Sequence, residues 1–253
     1  MDGILDHTMV RVEDLDESID WYTEHFDWEL KRKSEHSSFT LAFLGPEEMH
    51  EDGAVLELTY NHDGRSYEFG DAWGHIAVRV EDVYDAYEQL MDEGVEDYRD
   101  PDSCGGQYAF VKSPTGHEIE IVERDYGAKW SIDHTMIRVE DVDESIGWYT
   151  RKLDYEMFRR SEHDSFSLYF LKPEDAPAEA MSMELTYNYD GRSYEFGDAW
   201  GHVAVRADES DLEEYWETLM SRHAEDYRDP ESCDYNYAFT KDPDGHEIEV
   251  VRR

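Results

Sequence analysis

The sequence predicts an α+β protein of two tandem domains, each built from two βαβββ modules, so four modules in all. Three observations carry this expectation. The stretch Asp6-His7-Thr8-Met9-Val10-Arg11-Val12 returns as Asp133-His134-Thr135-Met136-Ile137-Arg138-Val139, 127 positions later (134 − 7). Glu57 to Asn61 and Arg65 to His75 return at the same offset as Glu184 to Asn188 and Arg192 to His202, and Gly116 to Glu120 returns at 129 as Gly245 to Glu249. Within each half, a strand, a helix and further strands then follow one another twice. A period this long exceeds a solenoid repeat and reads as whole domains in tandem. They are placed at residues 1–125 and 126–253, joined near Glu123 to Ile132, with two residues gained between His202 and Cys233.

Each element has a local cause. From His7 to Val12 the residues alternate, with His7, Met9 and Arg11 on one face of a strand and Thr8, Val10 and Val12 on the other. Glu13-Asp14-Leu15-Asp16-Glu17-Ser18 is an acidic helix start, and Ile19, Tyr22 and Phe26 follow at helical spacing. A short strand around Trp28 to Lys33 and strands at Phe39 to Leu44 and Ala54 to Tyr60, parted by a Gly-Pro turn and an acidic loop, complete the module. The second module has a strand at His75 to Val80, a helix with a Val83, Tyr87, Leu90 and Met91 stripe, and strands at Tyr108 to Lys112 and Ile119 to Glu123. The second half repeats both.

At 253 residues the chain suits two domains large enough to bury a core. Aromatic content of 14% argues for folding despite a formal charge of −41, and that charge argues against nucleic acid and anionic membranes as partners. An acidic surface, with 16 Arg against 7 Lys, fits a salt-loving source in which screening relieves self-repulsion. Two cysteines, Cys104 and Cys233, make no disulfide framework and suit a reducing cytoplasm. No apolar run is long enough to span a bilayer. The expectation is a soluble cytoplasmic protein.

In each module a histidine opens the first strand and a glutamate lies in the last, giving His7/Glu57, His75/Glu120, His134/Glu184 and His202/Glu249. A lone strand histidine is ordinarily structural, but these four recur with a matching glutamate. Glutamates on otherwise apolar strands are poorly solvated without a cation. Glu57 shares its face with Val55 and Thr59, while Leu56 and Leu58 face away. His36/His163 and His117/His246 also recur, by loops or turns, and read as surface residues.

The strand opening His-Thr-Met-x-Arg-Val-x-Asp, then Glu-Leu-Thr-Tyr-Asn, Gly-His-x-Ala-Val and the closing Pro-x-Gly-x-x-Ile-Glu resemble glyoxalase I of the vicinal oxygen chelate superfamily, across both halves almost end to end. The resemblance implies that modules pair through curved mixed sheets, each metal held by two residues from one module and two from its partner. It implies one site of His7, Glu57, His202 and Glu249 and another of His75, Glu120, His134 and Glu184, so that a monomer carries two intramolecular sites. Two imidazoles and two carboxylates suit a divalent first-row ion; compact relatives favour Ni2+ or Co2+ over Zn2+.

The implied reaction isomerises the hemithioacetal of a 2-oxoaldehyde such as methylglyoxal and a small thiol to a 2-hydroxyacyl thioester. It needs no redox cofactor. Glu120 and Glu249 correspond to the catalytic base, which must gain proton affinity to act; Glu57 and Glu184 correspond to ligands that assist proton return. Arg11, Asn61, Arg138 and Asn188 match positions that hold the γ-glutamyl end of the thiol. The lysine that helps relatives bind the glycine carboxylate of glutathione has no counterpart in Asp102 to Gln107 or Glu231 to Asn236, which points to a thiol such as γ-glutamylcysteine. The competing readings are an epimerase or an extradiol dioxygenase of the same superfamily, and a non-catalytic small-molecule binder. The dioxygenase uses two His and one carboxylate, and an epimerase acting on acyl-coenzyme A wants basic residues at the pocket mouth, where the sequence offers few.

Overall fold

A computed structural model describes residues 3–207 and 212–252. The first half runs β1 (Leu5–Arg11), α1 (Leu15–His25), β2 (Trp28–Glu35), β3 (Phe39–Pro46), β4 (Val55–Asn61), β5 (Trp73–Val80), α2 (Val83–Asp92), β6 (Glu96–Arg99), β7 (Tyr108–Lys112) and β8 (Glu118–Glu123). The second runs β9 (Ile132–Arg138), α3 (Val142–Leu153), β10 (Tyr155–Glu162), β11 (Phe166–Pro173), β12 (Ser182–Asn188), β13 (Trp200–Ala207), α4 (Leu212–Ser221), β14 (Tyr237–Lys241) and β15 (Glu247–Arg252). The acidic helix starts act as caps: Asp14, Asp82 and Asp141 each accept backbone N–H bonds from the first turn that follows. The fourth module departs from the plan. Where β6 would recur, the described residues hold only a bridge between Arg228 and Phe239, in the stretch that gained two residues.

Each sheet takes one module from each half. The first has the order β14-β15-β13-β1-β4-β3-β2 and the second β10-β11-β12-β9-β5-β8-β7-β6. The seam is antiparallel, β1 against β13 and β5 against β9, and β4, β15, β8 and β12 join in parallel. Register does the rest. In the first sheet Glu249, Ala204 and His7 form one row across three strands, and His202, Met9 and Glu57 form the next. The second sheet repeats this with Glu120, Ala77 and His134, then His75, Met136 and Glu184. Residues two apart on a strand share a face, so all four side chains of each set rise from one side of their sheet.

The seam strands are bulged beside each histidine. Leu5 pairs with Val205 and His7 with Ala204, leaving Asp6 as the extra residue; Met9 pairs with His202 and Val10 with Trp200, leaving Gly201 extra. Asp133 and Gly74 are the extra residues in the other seam. A bulge kinks its strand and re-aims the next side chain, and here every next side chain is a ligand-type histidine. A Cβ on Gly201 would lie 2.1 Å from Met9 Cε and one on Gly74 2.1 Å from Met136 Cε, so a larger residue at either place would displace the end of a methionine side chain.

The two sheets meet on the faces opposite these histidines. Thr8 and Thr135 touch through their hydroxyls at 3.5 Å; Trp200 Nε1 donates to Thr8 Oγ1 at 3.0 Å, and Trp73 Nε1 to Thr135 Oγ1 at 3.1 Å. The two indoles stack at 6.1 Å. His117 and His246, expected at the surface, belong to this junction instead and are fully buried. The cause is tertiary: each lies in a turn plugged by the other sheet, where His117 Nε2 donates to Ala199 O at 3.2 Å and His246 Nε2 to Arg138 O at 3.0 Å. His36 and His163 are exposed, stacked on Phe39 and Phe166.

Burial pushes His117 down to about 4, with the bond to Ala199 opposing it. The unfolded ring takes its proton near 6.5, so the neutral ring's contribution to stability is complete above that pH and is lost as pH falls towards 4. Denaturant titrations should show the native protein losing about 3 kcal/mol more than His117→Gln across this interval. Parallel losses in the two proteins would contradict the assignment.

Candidate metal centres

The register brings all eight sequence-predicted ligand-type residues together, in the two sets expected. His7, Glu57, His202 and Glu249 form one buried cluster and His75, Glu120, His134 and Glu184 the other, with one ligand atom from each residue within 4.8 Å of all its companions. In the first, His7 Nε2 lies 3.0 Å from Glu57 Oε2, 3.1 Å from Glu249 Oε2 and 3.2 Å from His202 Nε2. In the second, His134 Nε2 lies 2.9 Å from Glu120 Oε2, 3.0 Å from Glu184 Oε2 and 3.2 Å from His75 Nε2.

These spacings and donors fit a divalent cation. Nitrogen and carboxylate oxygen ligands at about 2.0–2.2 Å from one ion lie roughly 3.0–3.5 Å apart, and nitrogen–oxygen sets suit first-row metals. Two imidazole nitrogens pointing at each other between two carboxylates are otherwise poorly matched, since at least one nitrogen must lack a proton to bond the other.

In each cluster one imidazole has a raised proton affinity. Burial opposes a charged ring, but hydrogen bonds to Asp6, Glu249 and Glu57 raise His7 well above its ordinary value. Bonds to Asp133, Glu120 and Glu184 do the same for His134. Glu57, Glu120 and Glu249 respond in the other direction. Burial pushes Glu120 up, yet bonds from His134 and His75 hold it below the usual range, and His202 and His7 do so for Glu249. The raised proton affinity expected of a base is therefore reversed at Glu120 and Glu249, because two imidazoles flank each of them.

The glutamates are not equivalent. Thr59 Oγ1 donates to Glu57 Oε1 and Thr186 Oγ1 to Glu184 Oε1, both at 3.1 Å, which turns the second oxygen of each towards its cluster. Glu120 and Glu249 have only the paired histidines as hydrogen-bond partners among the described residues. Each module pair thus supplies one tethered and one untethered carboxylate.

A cavity of about 630 Å³ opens over the second cluster, and five arginines line it: Arg99, Arg124, Arg138, Arg159 and Arg160. Basic residues are thus not scarce at this mouth, contrary to the sequence expectation. They come from β6, β9 and β10 and the β8 end, distant in sequence and joined only by the cross-half sheet. Arg99 lies 3.8 Å above Phe110 and Arg159 3.5 Å above Phe170, and those rings meet His75 and His134 edge-on. Arg228 over Phe239 and Arg32 over Phe43 repeat the stack beside His202 and His7.

Of the residues matched to thiol binding, Arg138 and Asn188 line this cavity. Arg138 Nη1 is held by Asp71 O at 2.7 Å and Arg11 Nη1 by Asp198 O at 2.7 Å, so each is fixed by the opposite half. Asn61 and Asn188 donate to Tyr67 and Tyr194 at 2.9 and 2.8 Å. Sequence reasoning missed Asp6 and Asp133, which touch His7 and His134; their place beside the histidine in both repeats was the available signal.

Residues 4–121 and 131–250 each match the Glyoxalase/Bleomycin resistance protein/Dioxygenase superfamily. The chain belongs to this family. It is 33% identical to the lactoylglutathione lyase GLX1 of Arabidopsis thaliana over 211 residues, covering 80% of this chain and 73% of that one. It is 29% identical to glyoxalase I of Saccharomyces cerevisiae over an alignment covering 98% of this chain and 92% of the yeast protein. The crystal structure of glyoxalase I from Zea mays superposes with a TM-score of 0.86 at 28% identity, over 99% of this chain and 92% of that one. No helix among the described residues is long and apolar enough to cross a membrane.

Metal binding must expel the protons held by His7 and His134. Adding Ni2+ or Co2+ to weakly buffered protein near pH 7 should release about one proton per cluster, read by an indicator dye. Binding without release would contradict the protonation described.

Proposed function

We propose that the chain is a glyoxalase I-type lyase that isomerises the hemithioacetal of methylglyoxal and a small anionic thiol to the 2-hydroxyacyl thioester. The observation that carries this is the pair of buried two-His, two-Glu clusters, each under an arginine-lined or arginine-flanked face, in a chain similar to lactoylglutathione lyases along most of its length. All eight residues serve as metal ligands, and each site works within one monomer in the cytoplasm. The ion is Ni2+ or Co2+ rather than Zn2+, on the resemblance to compact relatives, and a set of two nitrogen and two oxygen donors accommodates either.

Bound in a cluster, the metal supplies electrophilic stabilisation of negative charge on the substrate oxygens. The rest falls to side chains. Glu120 or Glu249 takes the proton from the carbon beside the carbonyl, since an untethered carboxylate can turn from histidine to substrate. The proton then returns to the adjacent carbon, and Thr-held Glu184 or Glu57 steadies the site while this happens. The reaction moves one proton between adjacent carbons and one hydroxyl proton between their oxygens, and it needs no electron acceptor. The affinity these bases lack in the resting cluster rises once the imidazoles cease to donate to them.

Arg11, Arg138, Asn61 and Asn188 hold the γ-glutamyl end of the thiol. In a chain of net charge −41, five of its 16 arginines around one cavity give an anion a local place to dock. The absence of a basic residue in Asp102 to Gln107 favours γ-glutamylcysteine, while Arg99 and Arg160 offer glutathione an alternative partner. Turnover on the two hemithioacetals at molar salt decides between them. Acyl-coenzyme A epimerisation draws on the same arginines, and an assay with that substrate class separates it from the lyase.

Glu120→Gln and Glu249→Gln should each keep about half the isomerase activity, and the double variant should lose at least 100-fold. A double variant that retains a single mutant's rate would overturn the assignment of the bases.

A further inference from the structure

Neighbouring residues on a strand point to opposite faces, so Asp6 and Asp133 should be unable to reach the histidines that follow them. They do so because each is the extra residue of a bulge. His7 Nδ1 donates to Asp6 Oδ2 at 2.9 Å, and Asp6 Oδ1 accepts from Arg206 Nε at 2.9 Å. His134 Nδ1 donates to Asp133 Oδ2 at 2.8 Å, and Asp133 Oδ1 accepts from Arg79 Nε at 2.8 Å. Arg124 adds bonds of 3.1 Å from Nε to Oδ1 and 2.9 Å from Nη2 to Oδ2.

Each arginine comes from the other half of the chain and is itself fixed. Arg79 is buried and donates also to Ser131 Oγ, Glu179 O and Ala180 O. Arg206 donates also to Glu51 O and Asp52 Oδ1. The second histidine of each cluster is built differently. His75 and His202 follow glycine bulges, and a residue without a side chain can give no such bond.

We infer that Asp6 and Asp133, locked by Arg206 and Arg79, are positioning residues that set the metal affinity of the two clusters. A carboxylate accepting from Nδ1 fixes the tautomer that leaves the Nε2 lone pair facing the other ligands, and it fixes the ring plane. The cluster then contains one imidazole braced at Nδ1 by a carboxylate and one built without that brace. Loss of the outer carboxylate costs metal sites about 10- to 100-fold in affinity. This inference rests on the reading that the clusters bind a divalent metal, and the experiment separates the two.

The test titrates Co2+ into the full-length chain against a chromophoric chelator, following the visible absorption of bound cobalt. Unaltered protein should take up two tight equivalents; uptake of none would remove the metal reading itself. Asp133→Asn should leave one equivalent tight, weaken the other by about 10- to 100-fold and shift the cobalt spectrum of that half. Asp6→Asn, at a more exposed position, should do the same to the other cluster. The unaltered cluster in each variant reports that the chain is folded, and Asp164→Asn, an exposed turn residue, controls for loss of charge. Two unchanged equivalents in both variants would overturn the inference, and so would loss of both together.

Discussion

Everything at the two centres depends on the antiparallel seam between strands of opposite halves, β1 with β13 and β5 with β9. Neither half holds a complete ligand set in one sheet. Joined, the seams place a His/Glu pair from one module against a His/Glu pair from another, with a buried alanine, Ala204 or Ala77, lying between His7 and Glu249 or between His134 and Glu120. Strands lie about 4.8 Å apart, so these partners begin nearly 10 Å apart and can lean together only over a small residue.

The seam also explains why so much charge can be buried. Six carboxylates and four imidazoles share two clusters, counting Asp6 and Asp133, and each charged group has a partner of opposite tendency within hydrogen-bond reach. Buried charge is tolerated when paired. Around this the arginines are distributed by role: Arg79 and Arg206 brace aspartates inside, while Arg99 and Arg159 lie on phenylalanines at the cavity. A strongly acidic chain thus gathers five arginines at one cavity, interleaved with Glu118 and Glu123 above the cluster.

The ligand sets were legible in the sequence because the repeat duplicates each His and Glu, and the alternation of β1 and β4 already put Glu57 opposite Leu56 and Leu58. Which module partners which came from the family resemblance; spacing alone carries no information about a contact 195 residues apart such as His7 to His202. The turn histidines show the limit in the other direction. His117 looks like a loop residue because its neighbours are polar, and only the other half's Ala199 carbonyl makes it interior. The bulges were also illegible: Asp6 and Asp133 fit a regular alternating strand equally well, and the extra residue is set by a partner strand far along the chain.

Whether each metal is held jointly by both halves can be read from anomalous diffraction at the cobalt or nickel edge, using crystals grown with that ion. Two peaks per chain are expected, one among His7, Glu57, His202 and Glu249 and one among His75, Glu120, His134 and Glu184. A peak ligated by one half alone, or peaks away from both clusters, would contradict joint ligation.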